Sequence, residues 1–264
     1  MFVLQNLTLT TKARRYALGR RLYTFERQNQ LYWLKLQCSR GESSTQRSFY
    51  NELSFYQWAE QYLTHILPVQ IIDKTQIEHS EPIEPYAIVL PHAEPVFHLP
   101  ASELSLKEIY TTIDKMLGAL AEFEGINCIH GDLKAEHFVK FNGSVCLIDF
   151  EQAIYPSCHI ALQEMTATPR LMAPELFHGS YKTIQSDLYA FGIILYEWLS
   201  ETCLYAKGYR DWAYLHCQKF YPVLPERYQH LLPLFKILLE KQKEQRCATV
   251  KQAKISFEQL KLSI

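Results

Sequence analysis

The chain has 264 residues, 48% of them hydrophobic and 13% aromatic, which is enough apolar material for a large core and excludes a disordered chain. Its net charge of -1 provides no global field to gather a polyanion, which argues against nucleic acid as a partner. Seven cysteines (38, 128, 146, 158, 203, 217 and 247) form no Cys-x-x-Cys pair, so neither a zinc site nor a disulfide framework is expected.

The start, Met1-Phe2-Val3-Leu4-Gln5, lacks a basic stretch followed by a long apolar run and does not read as a signal peptide. The longest apolar run, Leu188 to Leu199, is too short to span a bilayer and contains Glu197. The expectation is a cytoplasmic chain without a transmembrane segment.

The first ninety residues read mostly as strands. Arg21 to Phe25 and Leu31 to Leu36 flank the polar turn Glu26 to Gln30, which predicts a hairpin. Ser43 to Leu63 reads as a helix, with Ser43-x-x-Gln46 as its capping box and Phe49, Leu53 and Tyr56 on one face. Pro68 to Ile72 and Tyr86 to Leu90 are further short strands, joined by the polar loop Asp73 to Pro85.

After Pro91 the pattern turns helical. Ser105-x-x-Glu108 caps a helix whose Ile109, Ile113, Met116, Leu117, Leu120 and Phe123 recur at helical spacing. Two strands, His137 to Phe141 and Val145 to Phe150, meet at the turn Asn142-Gly143-Ser144. Helices follow at about 183–201, 226–241 and 248–262. The expected fold is α+β: a strand-rich small lobe over 1–91 and a mainly helical lobe over 92–264. The boundary falls near Pro91–Pro95, and the cleft between the lobes is the natural ligand site.

Two aspartates stand out. Asp132 in Ile129-His130-Gly131-Asp132-Leu133-Lys134 and Asp149 in Leu147-Ile148-Asp149-Phe150 each end an apolar stretch, seventeen residues apart. Such a pair can converge on one phosphate group, one accepting a proton from an attacking hydroxyl and the other holding a divalent metal.

Read in order, the chain resembles the eukaryotic-type Ser/Thr protein kinase domain. Lys35 in Tyr-Trp-Leu-Lys stands where that family has its Ala-x-Lys, and Glu52, seventeen residues on, matches the glutamate that pairs with it. His130-Gly131-Asp132-Leu133-Lys134 is similar to the catalytic loop, and Asp149-Phe150 to Asp-Phe-Gly. Thr168-Pro169-Arg170-Leu171-Met172-Ala173-Pro174-Glu175 resembles the end of the activation segment. Ser186-Asp187 through Gly192 resembles the start of the central helix of the large lobe. Arg246 stands where the family pairs an arginine with Glu175.

The resemblance implies an ATP-dependent phosphotransferase with a two-lobed fold, a protein substrate, and Mg2+ or Mn2+. Lys35 would hold the α/β-phosphates and Glu52 would orient it. Asp132 would be the base, and Lys134 would neutralise the γ-phosphate. Asp149 would bind metal, and Thr168 would pack near Asp132 and Lys134. Glu175, Arg246 and Asp187 would be structural.

The departures are as informative. Lys12 to Arg21 holds one glycine and five basic residues where a Gly-rich phosphate loop is expected, so basic side chains would replace backbone amides or form a solvated face. Trp33 stands where the family has alanine, either narrowing the base pocket or packing in the lobe core. His137 replaces an asparagine, as a metal ligand favouring manganese or as a structural histidine. Glu151 replaces the glycine and adds a second carboxylate beside Asp149.

His137 with Ile148-Asp149-Phe150-Glu151 is also similar to bacterial lipopolysaccharide-core kinases, so a glycan or lipopolysaccharide acceptor is an alternative. The degenerate loop and Trp33 leave open a pseudokinase acting as a binding module. Gly131 replaces an arginine that reads a phosphorylated activation loop, which disfavours that switch, although Tyr155, Thr166 and Thr168 are candidate sites.

Overall fold

The computed structural model describes residues 7–40, 42–77, 79–157 and 167–262. Strands β1 (Thr8–Leu9), β2 (Arg20–Arg27), β3 (Gln30–Gln37), β4 (Gln70–Asp73) and β5 (Tyr86–Pro91) form an antiparallel sheet in the order β1-β2-β3-β5-β4. The β2–β3 hairpin turns on Gln28 and Asn29, both at positive φ. The alternation of β3 sends Leu34 and Leu36 into a small core with Phe25, Ile72 and Val89. It turns Trp33 and Lys35 to the opposite face.

Helix α1 (Ala13–Ala17) occupies the segment expected to replace a phosphate loop. Arginine and alanine favour helix there, and Gly19, at φ +84, ends it in the left-handed region.

Helix α2 (Ser43–Ala59) carries Phe49, Glu52, Leu53 and Tyr56 on its buried stripe. Two expectations about it are corrected. Its N-cap is Glu42, which makes no side-chain capping bond, and Gln46 instead donates to the Ser39 carbonyl. It stops at Ala59 rather than Leu63. Beyond it the backbone N–H groups of Thr64 and His65 turn toward the Glu122 carboxylate, 2.9 and 2.8 Å away.

The larger lobe is mainly helical. In α3 (Leu106–Gly125) the predicted capping box is present, with Ser105 and Glu108 bonded reciprocally, and the six predicted apolar positions are buried. A second sheet joins β6 (Glu94–Pro95), β7 (Phe138–Phe141) and β8 (Ser144–Leu147). Strand β8 stops before the expected Phe150. The Ile148 N–H is taken by the His137 carbonyl, and Asp149 enters the left-handed region at φ +68.

Helices α4 (Pro174–Phe177), α5 (Ile184–Ser200), α6 (Tyr209–Tyr214), α7 (Leu232–Leu238) and α8 (Val250–Lys261) complete the lobe. The helix expected over 226–241 is a 3-10 segment, Glu226–Leu231, followed by α7, which starts at Leu232 with Pro233 in its first turn. One core runs through the large lobe and takes in the α2 residues Phe49, Leu53, Phe55 and Tyr56. No disulfide forms among the described residues; Cys158 lies outside them. Among the described residues no helix is long and apolar enough to cross a membrane.

Candidate active site

Lys35 is the centre of the site. A lysine on the inner face of β3 and a glutamate on the buried stripe of α2 must meet, because neither charge can be buried alone. Lys35 Nζ lies 2.5 Å from Glu52, 2.8 Å from Asp149 and 2.7 Å from Glu151. Burial opposes its charge, but Asp149, Glu151 and Glu52 outweigh that and push the ammonium pKa up. Burial pushes the Glu52 carboxyl up, against the pull of Lys35. Burial also works against the Asp149 carboxylate, yet Lys35, His137 and Arg15 hold it well below the usual range.

The catalytic loop is pinned from below. Asp187, at the start of α5, accepts the backbone N–H groups of His130 and Gly131 at 2.7 and 3.1 Å. Its burial pushes its carboxyl up to about 6. His130 Nε2 donates to the Ile148 carbonyl at 3.0 Å, since a carbonyl can only accept. Burial, and then His137, push His130 down to about 3. Its ring lies 5.4 Å from Phe150, and Phe150 lies 5.1 Å from Tyr56, so an aromatic column joins the loop to α2.

Asp132 has both oxygens engaged. Lys134 Nζ lies 2.6 Å from Oδ2, and the Thr168 hydroxyl donates to Oδ1 at 2.8 Å. The expected grouping of Asp132, Lys134 and Thr168 is therefore present in the geometry. Glu175 and Arg246 form the expected pair, bidentate at 2.7 and 2.8 Å and buried.

The basic run Lys12–Arg21 divides. Arg15 on α1 donates to both oxygens of Glu151 at 3.1 and 3.2 Å and lies 3.6 Å from Asp149. Arg20 lies 3.2 Å from Glu151, with its guanidinium over the Phe49 ring. Arg21 turns away to Glu81 and the Tyr16 ring. The basic run thus supplies two cations to the carboxylates beside Lys35. A cavity of about 600 Å³ opens beside them, with Lys12, Arg15, Arg20, Asp132, Lys134 and Asp149 among its lining residues.

The three proposed metal-binding residues do not converge equally. Ligand oxygens of Glu52, Asp149 and Glu151 lie within 4.8 Å of one another, a hard-oxygen donor set suited by type to a divalent cation. His137 stands outside that group. Its Nε2 lies 3.2 Å from Asp149 Oδ2, its ring stacks on His130, and its Nδ1 is buried without a hydrogen-bond partner. Trp33 shares the Lys35 face of β3, and its ring lies 4.7 Å from that of His92. It packs against the main core and not in the small one. Of the candidate phosphorylation sites, Tyr155 is buried, Thr168 is bonded to Asp132, and Thr166 lies outside the described residues.

Two residues of the site carried no signal in the motif reading. Asn51 donates its side-chain amide to the carbonyls of Phe150, Glu151 and Ala153 at 3.3, 3.3 and 2.9 Å. Its place beside Glu52, turned toward the same segment, was the available hint. Lys182 Nζ lies 3.3 Å from Gln152 Oε1, and burial pushes its ammonium down to about 8. Nothing in its local sequence marks it.

Comparison with known proteins agrees with this geometry. The chain is 33% identical over 100 residues to the probable serine/threonine-protein kinase PknB of Lactococcus lactis, covering 37% of this chain and 16% of that protein. It is 28% identical over 163 residues to serine/threonine-protein kinase PknD of Protochlamydia amoebophila, covering 54% of this chain and 15% of that protein. It is 28% identical over 137 residues to the macrophage colony-stimulating factor 1 receptor of Felis catus, covering 50% and 13%. The matched region is a small fraction of each relative. A family model described as the protein kinase domain matches residues 23–257, and the chain belongs to that family.

Proposed function

We propose that the chain is an ATP-dependent phosphotransferase that moves the γ-phosphoryl group to a serine or threonine hydroxyl of a protein. The observation that carries this is the shared cavity: Asp132 and Lys134 line it together with Asp149 and Glu151. Phosphoryl transfer depends on positioning and charge neutralisation, and these groups supply both. Asp132 takes the proton of the acceptor hydroxyl as its oxygen bonds to the γ-phosphorus and the bond to the β-phosphate oxygen breaks. Thr168 and Lys134 keep Asp132 aimed, with Lys134 close enough to meet charge on the transferring group. Lys35, held by Glu52, takes the nucleotide phosphates.

Asp149 and Glu151 would hold Mg2+ or Mn2+, which when bound offsets the charge of the phosphates. His137 reaches Asp149 alone and would orient it, or share a cation with it. Residues 1–91 would clamp nucleotide and 92–264 carry the catalytic loop, with Pro91–Pro95 as the connector. The protein acceptor follows the kinase relatives, whose names cover serine/threonine kinases and a receptor.

A glycan or lipopolysaccharide hydroxyl is the second reading. Hydroxyl and basic side chains line the cavity, including Ser44, Thr45, Ser48, Lys12 and Arg15. Labelled ATP with magnesium or manganese, offered protein and glycan acceptors, tests both. Transfer to protein that disappears in Asp132→Asn is expected. Transfer to glycan alone favours the second reading, and no transfer with either metal sinks both.

A further inference from the structure

The carboxylates beside Lys35 are already neutralised by the chain itself. Glu52, Asp149 and Glu151 face Lys35, Arg20 and Arg15, three charges against three. A divalent ion entering this balanced cluster adds two positive charges and must displace a resident cation.

The three cations are not equally displaceable. The side chains of Lys35 and Arg20 are 12% and 5% exposed, and both project from central strands. The Arg15 side chain is 40% exposed and stands on a helix of five residues at the rim of the cavity. Its Nη1 donates to both Glu151 oxygens while its Nη2 approaches Asp149, so it covers the two carboxylates that a metal would need. A guanidinium fork matches phosphate as well as carboxylate.

We infer that Arg15 is a resident counter-ion that keeps Asp149 and Glu151 from binding a divalent ion until nucleotide phosphate enters and takes its guanidinium. This rests on the phosphotransferase reading and deepens it. Metal alone is resisted, and nucleotide recruits metal by drawing Arg15 away. One side chain thus serves both as a metal surrogate and, in place of loop amides, as a phosphate ligand.

The test uses manganese binding followed by electron paramagnetic resonance, and binding of the ATP analogue AMP-PNP in EDTA or with manganese. The proteins are the full chain as wild type, Arg15→Gln and Arg15→Lys. Arg15→Gln is expected to tighten binding of manganese alone roughly tenfold and to weaken binding of AMP-PNP in EDTA roughly tenfold, the size of one charge-assisted pair. Arg15→Lys stays near wild type in the first and falls between in the second. Opposite signs from one substitution are not what a loss of folding gives, and thermal midpoints within a few degrees of wild type confirm the fold. If wild type binds manganese–AMP-PNP but Arg15→Gln moves both affinities the same way or neither, the Arg15 inference is overturned alone. If wild type binds no manganese–AMP-PNP, the phosphotransferase reading falls and takes the inference with it.

Discussion

A Cβ on Gly131 would lie 2.3 Å from the carbonyl oxygen of Gln152. Gly131 is also at φ +78, a conformation that side chains rarely adopt. The residue before Asp132 is therefore glycine because the segment after Phe150 passes directly over it, and Lys182 Cδ fills the adjoining space at 3.4 Å from that Cβ position. Restoring the family's arginine would not restore a phosphate reader. Gly131→Arg is expected to force the loop and the Gln152 backbone apart, with strain of about 1–3 kcal/mol from the backbone alone. A lowered thermal midpoint together with lost transfer checks this. A variant as stable as wild type refutes the clash.

Asn51 is the second link between α2 and the metal segment. The two N–H donors of the Asn51 amide are shared among three carbonyls, whereas a carboxylate there can donate to none. Asn51→Asp is expected to cost about 3 kcal/mol or more, leaving three carbonyls facing an anion, and Asn51→Ala about 1–3 kcal/mol. Chemical denaturation distinguishes them. Equal losses would show that the amide's donors do not matter.

Trp33 makes an opposite pair of predictions for one side chain. Its ring packs on His92 and against the main core, on the side of β3 that also bears Lys35. A base seated on that face beside Lys35 would compete with the ring for space. Trp33→Ala is expected to lose stability, by about 2 kcal/mol for a half-buried ring, while binding AMP-PNP more tightly. Isothermal titration beside thermal melting reads both. Weaker nucleotide binding in the variant would make Trp33 a stacking platform rather than an obstacle.

The β2–β3 hairpin, the α3 cap and the Lys35–Glu52, Asp132–Lys134 and Glu175–Arg246 pairs were legible because each rests on local periodicity or on a motif of fixed spacing. The helical Lys12–Leu18 segment was not, although Ala, Arg and Leu ahead of Gly19 spell a short helix, because the resemblance set an expectation of a loop. Asn51, Lys182 and the need for glycine at 131 were hidden for a different reason. Each depends on a chain segment far away in sequence, and no spacing within the chain encodes that approach. His137 shows the limit of substitution logic: it replaces an asparagine in the motif, but its ring stacks on His130 and only one nitrogen reaches Asp149.

Acid stability follows from two buried histidines. His130 and His216 are 1% and 0% exposed, and burial first holds them at about 3 and about 4, against an unfolded value of 6.5. Between those values the unfolded chain binds the protons that the folded chain refuses, so stability is lost as pH falls through 6.5 toward 4. Each accounts for about 3 kcal/mol at pH 4. Asp187 works the other way. Its folded value of about 6 exceeds the ordinary 3.8, so the folded chain takes up its proton first and recovers roughly 2 kcal/mol over the same range. Glu52, which burial pushes up to about 7, offsets the histidines in the same sense, so the net expectation is a loss between pH 6.5 and 4 smaller than the histidines alone would give. His216→Gln removes one titrating ring beside Tyr189, whose hydroxyl lies 2.8 Å from His216 Nδ1. The variant is expected to be less stable than wild type at pH 7 but to lose about 3 kcal/mol less on acidification to pH 4, measured by urea unfolding across that range. An unchanged pH slope would mean that His216 takes up its proton as readily in the folded chain as in the unfolded one.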